Sequence, residues 1–297
     1  MTSSPPPGAV LRKILQDPEI LIAPGAHNAF TAKIIEQAGF KAVYMTGSGA
    51  AMDILGLPDL GFLTMSEMVA HARNIVQATT LPVIADADTG YGNALNVMRT
   101  VREYEGVGVA GLHIEDQVAP KRCGHFSGKE VISQEEMIGK IKAALDSRRD
   151  QDLVVIARTD ARAVIGLQEA IERGGAYAEA GADMIFVDAP ESAEELGLIA
   201  RSIPAPLMAN LSEGGKTPLL SAKELQDMGY KLVIYPRSAA GAAAKAIQEL
   251  MAVLKRDGTT EKYLDRIISF EERNQITGLA YYRELEKKYL RKGSPLS

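Results

Sequence analysis

The chain has 297 residues, with 33 Lys plus Arg against 38 Asp plus Glu and a formal net charge of −5. A mildly acidic chain without a long basic block is a poor match for a phosphate backbone, so no nucleic-acid partner is expected. Hydrophobic residues at 46% and charged residues at 24% exclude disorder over most of the chain.

Residues 1–10 begin Met-Thr-Ser-Ser-Pro-Pro-Pro-Gly, lack the basic and apolar regions of a signal peptide, and read as a flexible lead. From there a short apolar run is followed repeatedly by a longer amphipathic stretch. The pattern predicts a strand over 20–23 and a helix over 29–37, then 42–45 with 66–77, 81–85 with 93–105, and 110–114 with 134–145. It continues as 153–157 with 167–180, 184–187 with 193–199, 206–209 with 221–228, and 232–235 with 239–254. Short continuous apolar runs are what parallel strands covered on both faces look like. Gly39, Gly181 and Gly229 follow helices, where a left-handed cap suits glycine. Eight such units predict an α/β fold, a (β/α)8 TIM-type barrel. Without a linker to divide it, the chain reads as one domain over 1–297, with a charged helical tail over 258–297. Each apolar run is broken well short of the ~18 residues of a membrane span, so no membrane partner is expected and the cytoplasm is the expected location.

In such a barrel, catalytic groups come from the C-terminal ends of the strands. Unusual polar residues recur there: Tyr44-Met-Thr46-Gly47-Ser48, Asp86-Ala-Asp88-Thr-Gly-Tyr-Gly92, His113-Ile-Glu115-Asp116-Gln117, Arg158-Thr159-Asp160, Asp188, and Asn210-Leu-Ser212-Glu213. Asp86 and Asp88 are two apart, as are His113 and Glu115, so each pair shares a face of an extended strand. Carboxylates converging at one mouth repel one another without a cation, and a hard divalent ion such as Mg2+ prefers oxygen donors. For any one carboxylate, helix capping or pairing with Arg158 is an equal alternative; for Asp86, Asp88 and Glu115 together the metal is favoured. The loop after the fourth strand holds Cys123, the single cysteine, among Lys121, Arg122 and His125. Those neighbours should lower its pKa below the ~8.5 of a free thiol. Gly124 and Gly128 suit a segment that moves over a site. A lone cysteine excludes an intrachain disulfide and a cysteine-rich zinc site. Gly214-Gly-Lys-Thr217 lacks the rest of a P-loop, and Gly47-Ser-Gly49 lacks the third glycine of a dinucleotide fingerprint. His113-x-Glu115 lacks the cysteine pair of a zinc deaminase.

On these residues the chain resembles the isocitrate lyase/phosphoenolpyruvate mutase superfamily over nearly its whole length. The most specific part is Lys121-Arg-Cys123-Gly124-His125, which resembles the catalytic loop of the carbon–carbon lyase branch. Asp86-Ala-Asp88-Thr-Gly-Tyr-Gly, His113-Ile-Glu115-Asp116-Gln117 and Asn210-Leu-Ser212-Glu213-Gly-Gly-Lys-Thr-Pro218 match as well. The resemblance implies a barrel whose last helix is exchanged between subunits and a homotetramer, a dimer of such dimers. It also implies Mg2+, with Mn2+ as a substitute, and a small carboxylate substrate. By resemblance, Asp86 and Asp88 hold the metal, mostly through water, with Glu115 nearby. Thr46, Gly47 and Ser48 grip one carboxylate, and Asn210 and Ser212 another. Arg158 and Tyr44 contact the reacting oxygens, and Cys123 is the acid; Tyr44 or a metal-linked water is the candidate base. His113 and Lys121 join the catalytic set, and Asp59, Gly124, His125 and Asp188 the substrate-binding set. Asp188 stands where close relatives often carry Glu.

The implied reaction is cleavage of a 2-hydroxy dicarboxylate, of the 2-alkylmalate or dimethylmalate type with oxaloacetate as a further candidate, to pyruvate or a related 2-oxo acid plus a carboxylate. A 2-methylisocitrate lyase is the first alternative. It needs cations for a third carboxylate, and the aligned positions here are Gly241 and Phe270, although Arg237 or Arg273 are candidates to substitute. An oxaloacetate decarboxylase or phosphonate mutase is the second, and Cys123 argues against the mutase. A non-catalytic dicarboxylate-binding barrel is the third, disfavoured by the intact Asp86, Asp88, Glu115 and Cys123 set.

Overall fold

The computed structural model describes residues 5–124 and 126–290. Eight parallel strands pair in chain order and close into a barrel: β1 (Leu21–Ala26), β2 (Val43–Met45), β3 (Val83–Asp86), β4 (Gly111–Glu115), β5 (Val154–Thr159), β6 (Met184–Val187), β7 (Leu207–Asn210) and β8 (Leu232–Tyr235), with β8 returning to β1. The helices are α1 (Pro7–Leu15), α2 (Ala29–Gln37), α3 (Gly47–Leu55), α4 (Met65–Ala78), α5 (Ala94–Gly106), α6 (Gln134–Ser147), α7 (Ala161–Val164), α8 (Leu167–Glu179), α9 (Ala193–Ser202), α10 (Ala222–Met228) and α11 (Ser238–Asp257). No helix among the described residues is long and apolar enough to cross a membrane.

Two hydrophobic clusters follow from the strand alternation. Leu21, Ala23, Tyr44, Ile84, Ile156, Met184, Phe186, Met208, Leu232 and Ile234 fill the barrel interior. Their neighbours Val43, Met45, Val83, Ala85, Leu112, Val155, Ile185 and Val233 pack outward with the helices. Strands buried on both faces carry apolar residues at successive positions, which is the pattern the sequence shows. Side-chain caps start many of the helices, with reciprocal capping at Thr64/Glu67, Asn93/Asn96 and Ser221/Glu224.

Three features differ from the sequence reading. Residues from Pro7 onward are helical rather than a flexible lead: proline suits the first turn of α1, and Leu11 is buried in the cluster that fills the barrel. Residues 47–55 form a helix, α3, where the reading has a loop; Thr46 caps its start and Gly56, at φ 64°, ends it. The Gly-Ser-Gly opening of that segment hid it from propensity. Strands β3, β4, β5 and β7 run past their last apolar residue to Asp86, Glu115, Thr159 and Asn210. The ladder continues through polar side chains because the backbone bonds do not depend on them.

The chain divides into two compact units, 1–240 and 241–297, with the boundary inside α11. The second unit holds most of α11, a 3-10 helix (Glu261–Arg266), α12 (Phe270–Thr277) and α13 (Leu279–Tyr289). Arg266 pairs with Glu249 at 2.6 Å and covers the ring of Tyr263. Ile247, Met251, Leu264, Ile268, Phe270 and Tyr281 are exposed.

Candidate active site

Paired residues of a parallel sheet point to the same side, so the register decides which polar groups meet. Tyr44 lies beside Ile84, Asp86 beside His113, Glu115 beside Arg158, and Arg158 beside Phe186. Ile84 and Phe186 belong to the barrel interior, so Asp86, His113, Glu115 and Arg158 all face inward at the C-terminal end.

On one side of the mouth, Tyr44 Oη and His113 Nε2 are 2.8 Å apart with the rings stacked at 15°. Burial pushes the His113 pKa down to about 4, so the imidazole is neutral. Burial, reinforced by Asp86, pushes the Tyr44 hydroxyl well above the usual phenol range. Near neutral pH this favours Tyr44 as a phenol over a phenolate. Asp86 accepts from the Gly47 amide at 3.2 Å and the Asp88 amide at 2.9 Å, while Tyr104 donates to its carbonyl at 3.0 Å. Gly47 has no room for a side chain: a Cβ there would lie 2.4 Å from Asp86 Oδ2. Burial opposes the Asp86 charge, but the positive charge of His113 when protonated and of Lys121 and Arg158 outweighs it and holds the pKa below the usual range. Burial wins at Asp88, whose pKa rises to about 6 despite Lys121. Lys121 Nζ lies 2.7 Å from both Asp59 Oδ1 and Asp88 Oδ1. Burial weakens that ammonium, and Asp88 and Asp59 more than restore it.

On the other side, Arg158 is surrounded by carboxylates. Its Nε is 2.9 Å from Asp160 Oδ2 and 3.2 Å from Glu115 Oε2, and its Nη2 is 3.1 Å from both Asp160 Oδ1 and Asp188 Oδ2. Asn210 donates to Asp188 Oδ1 at 3.1 Å. Glu115 has no hydrogen-bond donor at either oxygen, and burial drives its pKa well above the carboxylate range against the pull of Arg158. Asp160 is the opposite case: burial opposes its charge, and Arg158 and Lys129 overcome it. Asp116 supports this side from behind, accepting from Thr159 Oγ1, the Asp160 amide, Arg173 and Tyr177.

The loop after β4 lies over both sides. Gln117 holds it by accepting from the Arg122 amide at 2.9 Å and donating to the Arg122 carbonyl at 2.8 Å. The Cys123 amide donates to the Asp59 carbonyl at 3.1 Å, and Cys123 is half-buried. Gly124 is buried where no side chain fits: a Cβ would lie 1.7 Å from Asp188 Oδ2 and 2.7 Å from Arg158 Nη2. Gly124→Ala should therefore displace the loop or the Arg158–Asp188 contact. Turnover is expected to fall by about 100-fold, the scale of an ångström of misplacement, with the thermal midpoint little changed. Parent-like steady-state kinetics of this variant would contradict the close seating.

Of the residues singled out from sequence, Tyr44, Asp59, Asp86, Asp88, His113, Glu115, Lys121, Arg158 and Asp188 are linked through these contacts. Thr46 and Gly47 open α3 beside Asp86, and Ser48 follows in its first turn. Asn210 joins through Asp188, and Ser212 is buried after β7. His125 lies outside the described residues. Sequence reasoning passed over Lys129 as a site residue and noted Asp160 only in passing. The i, i+2 spacing of Arg158 and Asp160 was the available signal, and nothing local marked Lys129.

The family described as phosphoenolpyruvate phosphomutase matches residues 11–255. The 2,3-dimethylmalate lyase of Eubacterium barkeri is 53% identical over 281 residues, covering 95% of this chain and 97% of that protein. The chain belongs to the phosphoenolpyruvate mutase/isocitrate lyase superfamily. Within it the chain is a carbon–carbon lyase. A 2-methylisocitrate lyase of Aeropyrum pernix is 43% identical, covering 98% and 93% of the two chains. Among solved structures of the superfamily, a 2,3-dimethylmalate lyase superposes with a TM-score of 0.91 at 37% identity, covering 99% of this chain and 100% of that one. A phosphonopyruvate hydrolase solved with oxalate and Mg2+ superposes with a TM-score of 0.88 at 34% identity, covering 97% and 100%.

That hydrolase holds Mg2+, and carboxylates, hard oxygen donors of the kind such an ion prefers, stand at the mouth here. Among the described residues, no three His, Cys, Asp or Glu side chains converge closely enough to ligate an ion together. Both oxygens of Glu115 nevertheless lack hydrogen-bond donors while buried, whereas Asp88 Oδ1 is already engaged by the Lys121 ammonium at 2.7 Å. Hard oxygen donors with unfilled bonds fit a hydrated divalent cation held largely through water.

Proposed function

We propose that the enzyme cleaves a 2-alkylmalate of the 2,3-dimethylmalate type, using Mg2+ or Mn2+. The products are pyruvate and the acid formed from the leaving fragment, propionate in the case of 2,3-dimethylmalate. The observation that carries this reading is the near-full-length similarity to the Eubacterium barkeri lyase. Asp86 and Asp88 would hold the metal, with Glu115 behind. When bound, the ion supplies positive charge for the oxygen that becomes the 2-oxo group. The Ser48 amide and the Thr46 and Ser48 hydroxyls grip one substrate carboxylate, the Gly47 amide being taken by Asp86, and Asn210 with Ser212 grip the other. Tyr44, held as a phenol, donates to a substrate oxygen, and Arg158 offers charge to the reacting end. The C2–C3 bond breaks as the 2-hydroxyl passes its proton to a water at the mouth, and the electron pair goes to C3, conjugated with its carboxylate. Cys123 delivers the proton to C3 from the loop. The exposed apolar residues of the 241–297 unit support a helix-exchanged dimer and a homotetramer.

Substrate choice separates this reading from 2-methylisocitrate cleavage. A third carboxylate needs a cation, and a charge-assisted contact is worth about 1.5–3 kcal/mol, a tenfold to hundredfold preference. The aligned positions carry Gly241 and Phe270, and Arg237 is engaged with the Glu213 carbonyl. Pyruvate release from a panel of hydroxy acids is expected to give 2,3-dimethylmalate a kcat/KM about tenfold or more above that of 2-methylisocitrate. The reverse order would assign the enzyme to the tricarboxylate branch, and faster turnover of oxaloacetate would overturn the alkylmalate assignment.

A further inference from the structure

The loop carrying Cys123 is bracketed by two buried lysines that reach opposite sides of the barrel mouth. Lys121 serves Asp59 and Asp88. Lys129, whose side chain is 2% exposed, lies 2.8 Å from Asp160 Oδ1 and 4.0 Å from Asp188 Oδ2. It also donates to the carbonyl of Gly124. A buried ammonium is tolerated only when paired and hydrogen-bonded, so its placement is constrained by all of these partners at once.

The partners of Lys129 are also the partners of Arg158. Asp160 gives Arg158 a two-pronged contact at 2.9 and 3.1 Å, and Asp188 accepts a third bond at 3.1 Å. Without Lys129, one guanidinium would face Asp160 and Asp188 alone, and the spare negative charge would oppose an anionic substrate. The Gly124 carbonyl held by Lys129 sits on the backbone that contacts the Arg158–Asp188 pair with no space for a Cβ. One ammonium thus touches both halves of the machinery, the carboxylates that orient Arg158 and the peptide that follows Cys123.

We propose that Lys129 is a positioning residue that fixes Arg158 and the Cys123–Gly124 backbone against each other. Its catalytic consequence rests on the reading of Cys123 as proton donor, whereas its placement is testable without turnover. Cys123 is the single cysteine, so alkylation by iodoacetamide reports this segment alone. Lys129→Met keeps the apolar stem and removes the charge and donors. In the substrate-free full-length enzyme it is expected to raise the alkylation rate by about tenfold, the effect of one lost charge-assisted contact, measured well below the lowered thermal midpoint that loss of one partner of a buried ion pair brings. Lys129→Arg, which restores charge and donors, should return the rate toward that of the parent. In steady state, Lys129→Met is expected to lower kcat by about tenfold with KM within about threefold, because the substrate grips elsewhere persist. If the methionine variant does not fold, Lys129→Gln provides the same test. A parent-like alkylation rate without the charge, equal acceleration in the arginine variant, or failure of both neutral variants to fold would each overturn the proposal. If the alkylation results hold but no hydroxy acid yields pyruvate, the proposed reaction falls and the placement of Lys129 stands.

Discussion

Cys123→Ser is expected to lower kcat by about 100-fold or more, the usual scale of a positioned proton donor, while KM changes little. Serine keeps the size of the side chain and replaces a thiol by a hydroxyl that is a far weaker acid. The backbone around the position does not depend on sulfur: the residue 123 amide donates to the Asp59 carbonyl, and its own carbonyl accepts from the Phe126 amide. The substrate grips proposed for α3, Asn210 and Arg158 lie on other strands and remain intact. Rates and KM for pyruvate release, measured beside the parent enzyme, check this. Near-normal turnover would show that the proton reaches the leaving carbon from elsewhere. A rise in KM without loss of kcat would make Cys123 a binding residue instead.

Removing the metal, or its principal carboxylate, is expected to have the largest effect. Turnover should vanish in excess chelator and return with Mg2+ or Mn2+. Asp86→Ala should weaken Mn2+ binding, followed by calorimetry, by about 10-fold or more; even the partners that orient metal ligands are worth about 10- to 100-fold. Asp86 is the side chain to remove because nearby positive charge keeps it ionised despite burial, whereas Asp88 and Glu115 are pushed toward protonation. Asp86 also receives the amides of Gly47 and Asp88, so its loss should disturb the start of α3 and the carboxylate beside it. Full activity in excess chelator would refute a metal-dependent reaction, and undiminished Mn2+ binding by the variant would place the ion elsewhere.

The sequence by itself determined the order and kind of the eight strand–helix units. Apolar runs and amphipathic periodicity are local properties, and strands covered on both faces leave no ambiguity about what is buried. It also determined which strand ends carry chemistry, because Asp86, Glu115, Arg158 and Asn210 each interrupt or follow an apolar run where only the barrel mouth tolerates them. Local rules failed where a helix opens on Gly-Ser-Gly, as at α3, whereas at α1 the initiating proline is a local signal that the reading of a flexible lead passes over.

Only the tertiary structure decided which charges meet. Barrel closure and register bring Asp86 beside His113 and Glu115 beside Arg158, while the loop carries Lys121 to Asp59 and Asp88 and Lys129 to Asp160. These partners lie as far as 62 residues apart, 121 − 59, at Asp59 and Lys121. The protonation of a buried carboxylate depends on all of its neighbours together and on how completely water is excluded. Spacing along the chain therefore cannot show why Asp86 keeps its charge while Glu115, two strand positions beyond its neighbour His113, is driven to lose it.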